Sequence, residues 1–113
     1  MLRRAMAKRA DFRRIALAFP GAREGAHMGH ADFRVGGKIF ASLGSPDDQW
    51  GMASLMPEQQ DDFITLAPEA FKPAAGAWGR GGSTLVLLDA VPDHLLEAAL
   101  AAAWRKRAPK NLL

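Results

Sequence analysis

Apolar residues first recur with a helical period. Phe12, Ile15, Ala16 and Phe19 fall at i, i+3, i+4 and i+7, which predicts a helix over about 8–18 with one buried stripe. Pro20-Gly21 ends it, because proline cannot continue the hydrogen-bond ladder and glycine tolerates the exit geometry. The period then drops to two. Asp32-Phe33-Arg34-Val35, a Gly36-Gly37 turn and Lys38-Ile39-Phe40-Ala41-Ser42-Leu43 predict a hairpin. Strict alternation puts Ile39, Ala41 and Leu43 on one apolar face and Phe40 on the other. Gly44 to Asp48 is a loop, and Gln49 to Leu55 the next strand.

Pro57, followed by Glu58, Asp61 and Asp62, opens a second helix, whose inner face is Phe63 and Leu66. Ala70-Phe71-Lys72 is a short strand. Ala74 to Ser83 holds four glycines and reads as a loop. Thr84 to Leu88 is a buried-type strand. Pro92 opens a third helix with Leu95, Leu96, Ala99, Leu100, Ala103 and Trp104 on its apolar face. Arg105, Lys106 and Arg107 close it, where cations suit the C-terminal end. The order α-βββ-α-ββ-α, with short connections, predicts one α+β domain over 1–113. It would be a two-layer sandwich with an antiparallel sheet and helices on one face.

Composition narrows the class. Of 113 residues, 49% are apolar and 24% charged, ordinary values for a globular protein. There is no cysteine, which removes disulfides, thiolate nucleophiles and cysteine metal sites. No apolar run approaches the ~20 residues that span a bilayer. The basic start is not followed by a secretory segment. A cytoplasmic protein away from the membrane is expected.

Charge is unevenly spread. Residues 1–38 carry +6, residues 39–97 carry −7 and residues 98–113 carry +4. If the two basic ends meet, they form one positive surface suited to phosphate polyanions. Its candidates are Arg9, Arg13, Arg14, Arg34, Lys38, Arg105, Lys106, Arg107 and Lys110. Arginine's planar fork suits phosphate oxygens better than an ammonium does.

Other constellations carry less chemistry. His27-Met28-Gly29-His30 invites a metal reading, but residues three apart on a strand point to opposite faces, so two edge-strand histidines are expected. The acids Asp47, Asp48, Glu58, Asp61 and Asp62 offer carboxylates to a hard cation, yet those of the first helical turn already have a structural explanation. Gly79-Arg80-Gly81-Gly82-Ser83-Thr84 lacks the lysine and the following helix of a nucleotide loop. It could serve as a wing-like loop with Arg80 on phosphate and Trp78 stacking. No serine lies in a nucleophile elbow, and adjacent Asp61 and Asp62 do not face each other. No enzyme, no cofactor and no metal site is expected.

The whole chain, over roughly 9–112, resembles the MmcQ/YjbR family. The likeness lies in Ala16-Leu17-Ala18-Phe19-Pro20-Gly21, in Asp32 to Ala41, in Trp78 to Leu88, and in the closing helix from Leu95 to Ala108 with Pro109-Lys110. Where many relatives carry a Gly-Trp pair before the late strand, this chain has Gly82-Ser83-Thr84, and its tryptophan is Trp78, upstream. The resemblance implies a frataxin-like or secretion-chaperone-like α+β fold, described as predicted DNA-binding with a double wing, and no agreed catalytic residues. On that reading Arg34, Lys38, Trp78 and Arg80 contact DNA from the turns, and Arg105, Lys106 and Arg107 from the last helix. The alternative is a protein- or small-ligand-binding adaptor using Phe40, Trp50, Met52 and Met56 as exposed apolar surface.

Overall fold

A computed structural model describes residues 2–113, and side chains from Lys8 onward. The side chains of Arg3 and Arg4 lie outside the described residues. Helix α1 spans Leu2–Ala18. Strands β1 (Arg23–His27), β2 (His30–Val35), β3 (Lys38–Leu43) and β4 (Trp50–Ser54) form a meander. Then come α2 (Pro57–Leu66), β5 (Phe71–Pro73), a short α3 (Gly76–Arg80), β6 (Ser83–Leu87) and α4 (Asp93–Arg107), with a 3-10 turn over Lys110–Leu112. The sheet is antiparallel with order β1-β2-β3-β4-β6-β5. The α+β sandwich expected from the pattern is present, with an added edge strand, β1, and a helical turn, α3, where a glycine loop was expected.

Helices α1, α2 and α4 cover one face. Phe12 and Phe33 meet with ring centroids 5.8 Å apart, and Phe63 meets Phe71 at 5.2 Å. Gly51 makes room for α1: a β-carbon there would sit 2.7 Å from the Phe12 ring. Leu96, Ala99, Leu100 and Ala103 bury the inner stripe of α4. Pro57 begins α2, and the Gln59 side chain accepts a hydrogen bond from the Met56 backbone N–H, satisfying one free donor at the helix start.

A β-bulge overturns the strict alternation expected in β3. Phe33 pairs with Ala41 but the next residue, Arg34, pairs with Ile39, so Phe40 is the extra residue. Phe40 and Ala41 are therefore both buried against the helices, with Phe40 meeting the Phe19 ring edge-on at 6.4 Å. Ile39 moves to the opposite face. Phe40, expected as exposed surface, is fully buried.

Helices α1 and α4 run in the same direction. At one end Lys8 donates to the Asp93 carboxylate and the Val91 carbonyl. At the other, Phe19 stacks on Trp104 at 5.8 Å, and the Trp104 indole N–H donates to the Pro20 carbonyl at 2.9 Å. The basic start of α1 and the basic end of α4 are thus about 20 Å apart at 1.5 Å rise per residue. The described cations of α1 therefore do not join those at the end of α4 in one surface. The described α1 cations are instead engaged by carboxylates: Lys8 by Asp93, Arg9 by Asp48 at 3.7 Å, Arg13 by Glu24 at 3.0 Å and Arg14 by Asp11 at 3.3 Å.

Candidate functional site

The face of the sheet away from the helices is open and forms a cleft of about 990 Å³. Its floor is apolar, made by Ile39, Met52 and Leu85, which are half-buried. Ser42, Ser54 and Ser83 place hydroxyls beside that floor. Arg34, Lys38 and Arg107 supply cations, against one lining carboxylate, Asp32. Trp78 stands on the rim, 78% exposed.

Each polar group is held by a local cause. Arg34 and Asp32 are two residues apart on β2 and so share a face. Arg34 Nε donates to Asp32 Oδ1 at 2.8 Å and its Nη2 to Oδ2 at 3.0 Å. The carboxylate is 1% exposed, while the guanidinium reaches the cleft. The hydrogen bond, and then the charge, of Asp32 raise the Arg34 pKa further above its ordinary value. Gly25, opposite Asp32 on β1, leaves space for the pair: a β-carbon there would lie 2.9 Å from Asp32 Oδ1.

The other polar corner is Ser54. Its Oγ accepts from Arg107 Nη2 at 3.1 Å and from Lys106 Nζ at 3.4 Å, and Lys106 also donates to the Leu55 carbonyl at 2.8 Å. Arg107 Nε is buried without a partner. Burial, and then the neighbouring Arg107 charge, hold the Lys106 pKa below the ordinary lysine range. Two cations converge on one neutral hydroxyl.

Trp78 is carried by α3, which is fixed from below. The buried Gln60 amide donates to the Gly79 carbonyl at 3.1 Å, the Ser83 carbonyl at 3.1 Å and Thr84 Oγ1 at 3.0 Å. Gly79 and Gly82 are packing requirements, since a β-carbon at either would fall 1.8 Å from a backbone carbonyl oxygen, of Ala74 or Leu55. The expected wing-like loop over 79–84 is thus a packed helical turn leading into a strand.

At the far end His27 and His30 are direct partners across a two-residue turn, with Met28 and Gly29 at φ 51° and 81°. They lie on the same face, contrary to the expectation for residues three apart, because the turn falls between them. Among the described residues, no group of three or more His, Asp or Glu side chains is placed to hold a metal ion. Asp47 instead accepts from the Gln49 N–H at 2.8 Å, and Asp48 pairs with Arg9.

Of the residues expected to contact nucleic acid, Arg34, Lys38, Trp78 and Arg107 come together at the cleft. Lys106 reaches the same Ser54 hydroxyl without lining the cleft. Arg80 and Arg105 are exposed and lie outside it. Sequence reasoning gave no role to the Ser54 corner or to the buried Asp32. The signal for both was their place opposite apolar neighbours in a period-two pattern. Trp50 lies beneath Lys72, whose ammonium is 4.4 Å from the ring centroid, and Met56 is exposed away from the cleft.

The YjbR family model matches residues 17–106. The chain belongs to the YjbR family. That stretch runs from the end of α1 to the end of α4 and includes the whole sheet. A solved structure, Deinococcus radiodurans protein DR2400 with a DUF419 domain, is similar at 19% identity with a TM-score of 0.75. The match covers 92% of this YjbR-family chain and 80% of that one, and shows a shared fold. No curated protein matches the chain. No helix among the described residues is long and apolar enough to cross a membrane.

Proposed function

We propose that this YjbR-family protein is a non-enzymatic DNA-binding module whose open sheet face takes the phosphate backbone. One observation carries the reading: Arg34, Lys38, Arg107 and Trp78 come from four separate elements and converge on one cleft. Three cations against one carboxylate give that cleft a positive field, and arginine forks fit phosphate oxygens.

Fluorescence anisotropy with labelled DNA at 50 and 200 mM salt tests this. Three neutralised phosphates imply a log–log salt slope of about −2 to −3, hence a loss of roughly 20- to 40-fold between those salts. Absence of binding at 50 mM, or binding indifferent to salt, rejects it.

A protein- or ligand-binding adaptor is the second reading, favoured by the apolar floor and by Met28, which is 85% exposed at the rim. A partner retained after nuclease treatment, and lost in a Met28→Glu variant, would favour it.

A further inference from the structure

We infer that the cleft takes an unpaired strand rather than a duplex, with a phosphate at the Ser54 corner and a base stacked on Trp78; this deepens the nucleic-acid reading and rests on it. The corner is short of negative charge. Lys106 and Arg107 both donate to the Ser54 hydroxyl, and among the described residues neither meets a carboxylate. Two adjacent, partly desolvated cations without an anion are an electrostatic deficit that a phosphate oxygen relieves. The lowered Lys106 pKa is the same deficit seen in its proton affinity.

Trp78 supplies the second half. Its indole is outside the core, yet its helical turn is pinned by the Gln60 hydrogen bond to the Gly79 carbonyl and by the close approach of Gly79 to the Ala74 carbonyl, while the same Gln60 amide holds Ser83 and Thr84 at the start of the next strand. A large aromatic surface on a rigid mount beside a cationic cleft suits a base face. In a duplex both faces of a base are covered by its neighbours, so Trp78 has nothing to stack on. An unpaired strand offers those faces. The half-buried floor of Ile39, Met52 and Leu85 accepts any base, because it reads no hydrogen-bond edge. At 990 Å³ the cleft is near the upper limit of a small-ligand pocket. The described α1 cations that a wider duplex contact would recruit, Lys8, Arg9, Arg13 and Arg14, already pair with carboxylates.

The test is an anisotropy titration of the full chain with a labelled dT 12-mer, a matched rU 12-mer and a 12-base-pair duplex at equal salt. The single strands are expected to bind at least ~10-fold more tightly than the duplex. Their relative order reports which sugar is preferred. Trp78→Ala is expected to lose roughly 5- to 150-fold on the single strands, the range for one base stack, and to leave duplex binding unchanged. Arg107→Gln is expected to make the single-strand salt slope shallower by about 0.7, one phosphate contact. Circular dichroism confirms that each variant folds. Quenching of tryptophan emission by unlabelled dT 12-mer, lost in Trp78→Ala, gives an independent readout. Duplex binding as tight as single-strand binding, with Trp78→Ala indifferent, overturns this inference and leaves DNA binding standing. No binding to any of the three at low salt overturns both.

Discussion

Arg34 lies forked across the carboxylate of Asp32, with Nε 2.8 Å from Oδ1 and Nη2 3.0 Å from Oδ2, so a buried anion aims a cation into the cleft. The pair is asymmetric. Asp32 is buried and depends on its partner, whereas Arg34 remains wet on its outer side. Removing the arginine therefore costs more than removing the ion pair as a unit. Arg34→Met is expected to destabilise by about 1–3 kcal/mol, because it leaves a buried carboxylate without its donors. Adding Asp32→Asn should recover part of that loss. Urea unfolding of the two variants checks this, and equal loss in both contradicts it.

The glycines of the α3 region separate sharply by what surrounds them. Gly79→Ala would bring a β-carbon 1.8 Å from the Ala74 carbonyl oxygen, whereas Gly81→Ala meets its nearest atom at an ordinary 3.5 Å. Gly81 also has φ −83°, which alanine adopts freely. Thermal unfolding is expected to show a loss of at least about 3 kcal/mol for Gly79→Ala, the top of the overpacking range. Gly81→Ala is expected to stay within about 0.5 kcal/mol of the parent, as a surface change does. Similar losses in both would show that α3 is not packed as described.

Lys8 and Asp93 give the stability a defined acid dependence. The Lys8 hydrogen bond, and then its charge, hold the Asp93 carboxyl below the usual carboxylate range. The folded state then binds fewer protons than the unfolded chain in acid. The contribution is complete above the unfolded value of about 4 and is lost as pH falls through the lower folded value. Asp93→Asn should therefore flatten the fall in melting temperature below about pH 4, by a small amount because Asp93 is largely exposed. Superimposable pH profiles of parent and variant would contradict the pairing.

The layers were legible in the chain because period and punctuation agreed. Phe12 to Phe19, the Gly36-Gly37 turn, Pro57 and Pro92 each mark an element that is present. Phe40 was misplaced because a bulge needs one unpaired residue, and no local signal in Lys38 to Leu43 declares it. Edge strand β1 was legible only through its histidines and had no bounds of its own, since Arg23-Glu24-Gly25-Ala26-His27 is exposed and lacks apolar alternation. The convergence of Arg34, Lys38, Trp78 and Arg107 was legible as a set of residue types. Their cleft was not, because it depends on which face each strand turns outward. The paired state of Arg9 and Arg13 was equally hidden, since Asp48 and Glu24 approach through tertiary structure.

Chemical-shift mapping with a short unlabelled dT oligonucleotide tests the account most directly, because it reports the face engaged and not affinity alone. The expected shifts lie at Arg34, Lys38, Ser54, Trp78 and Arg107, with the outer surface of α1 and α2 unchanged. Shifts confined to those helices, with the open face of the sheet silent, would contradict it.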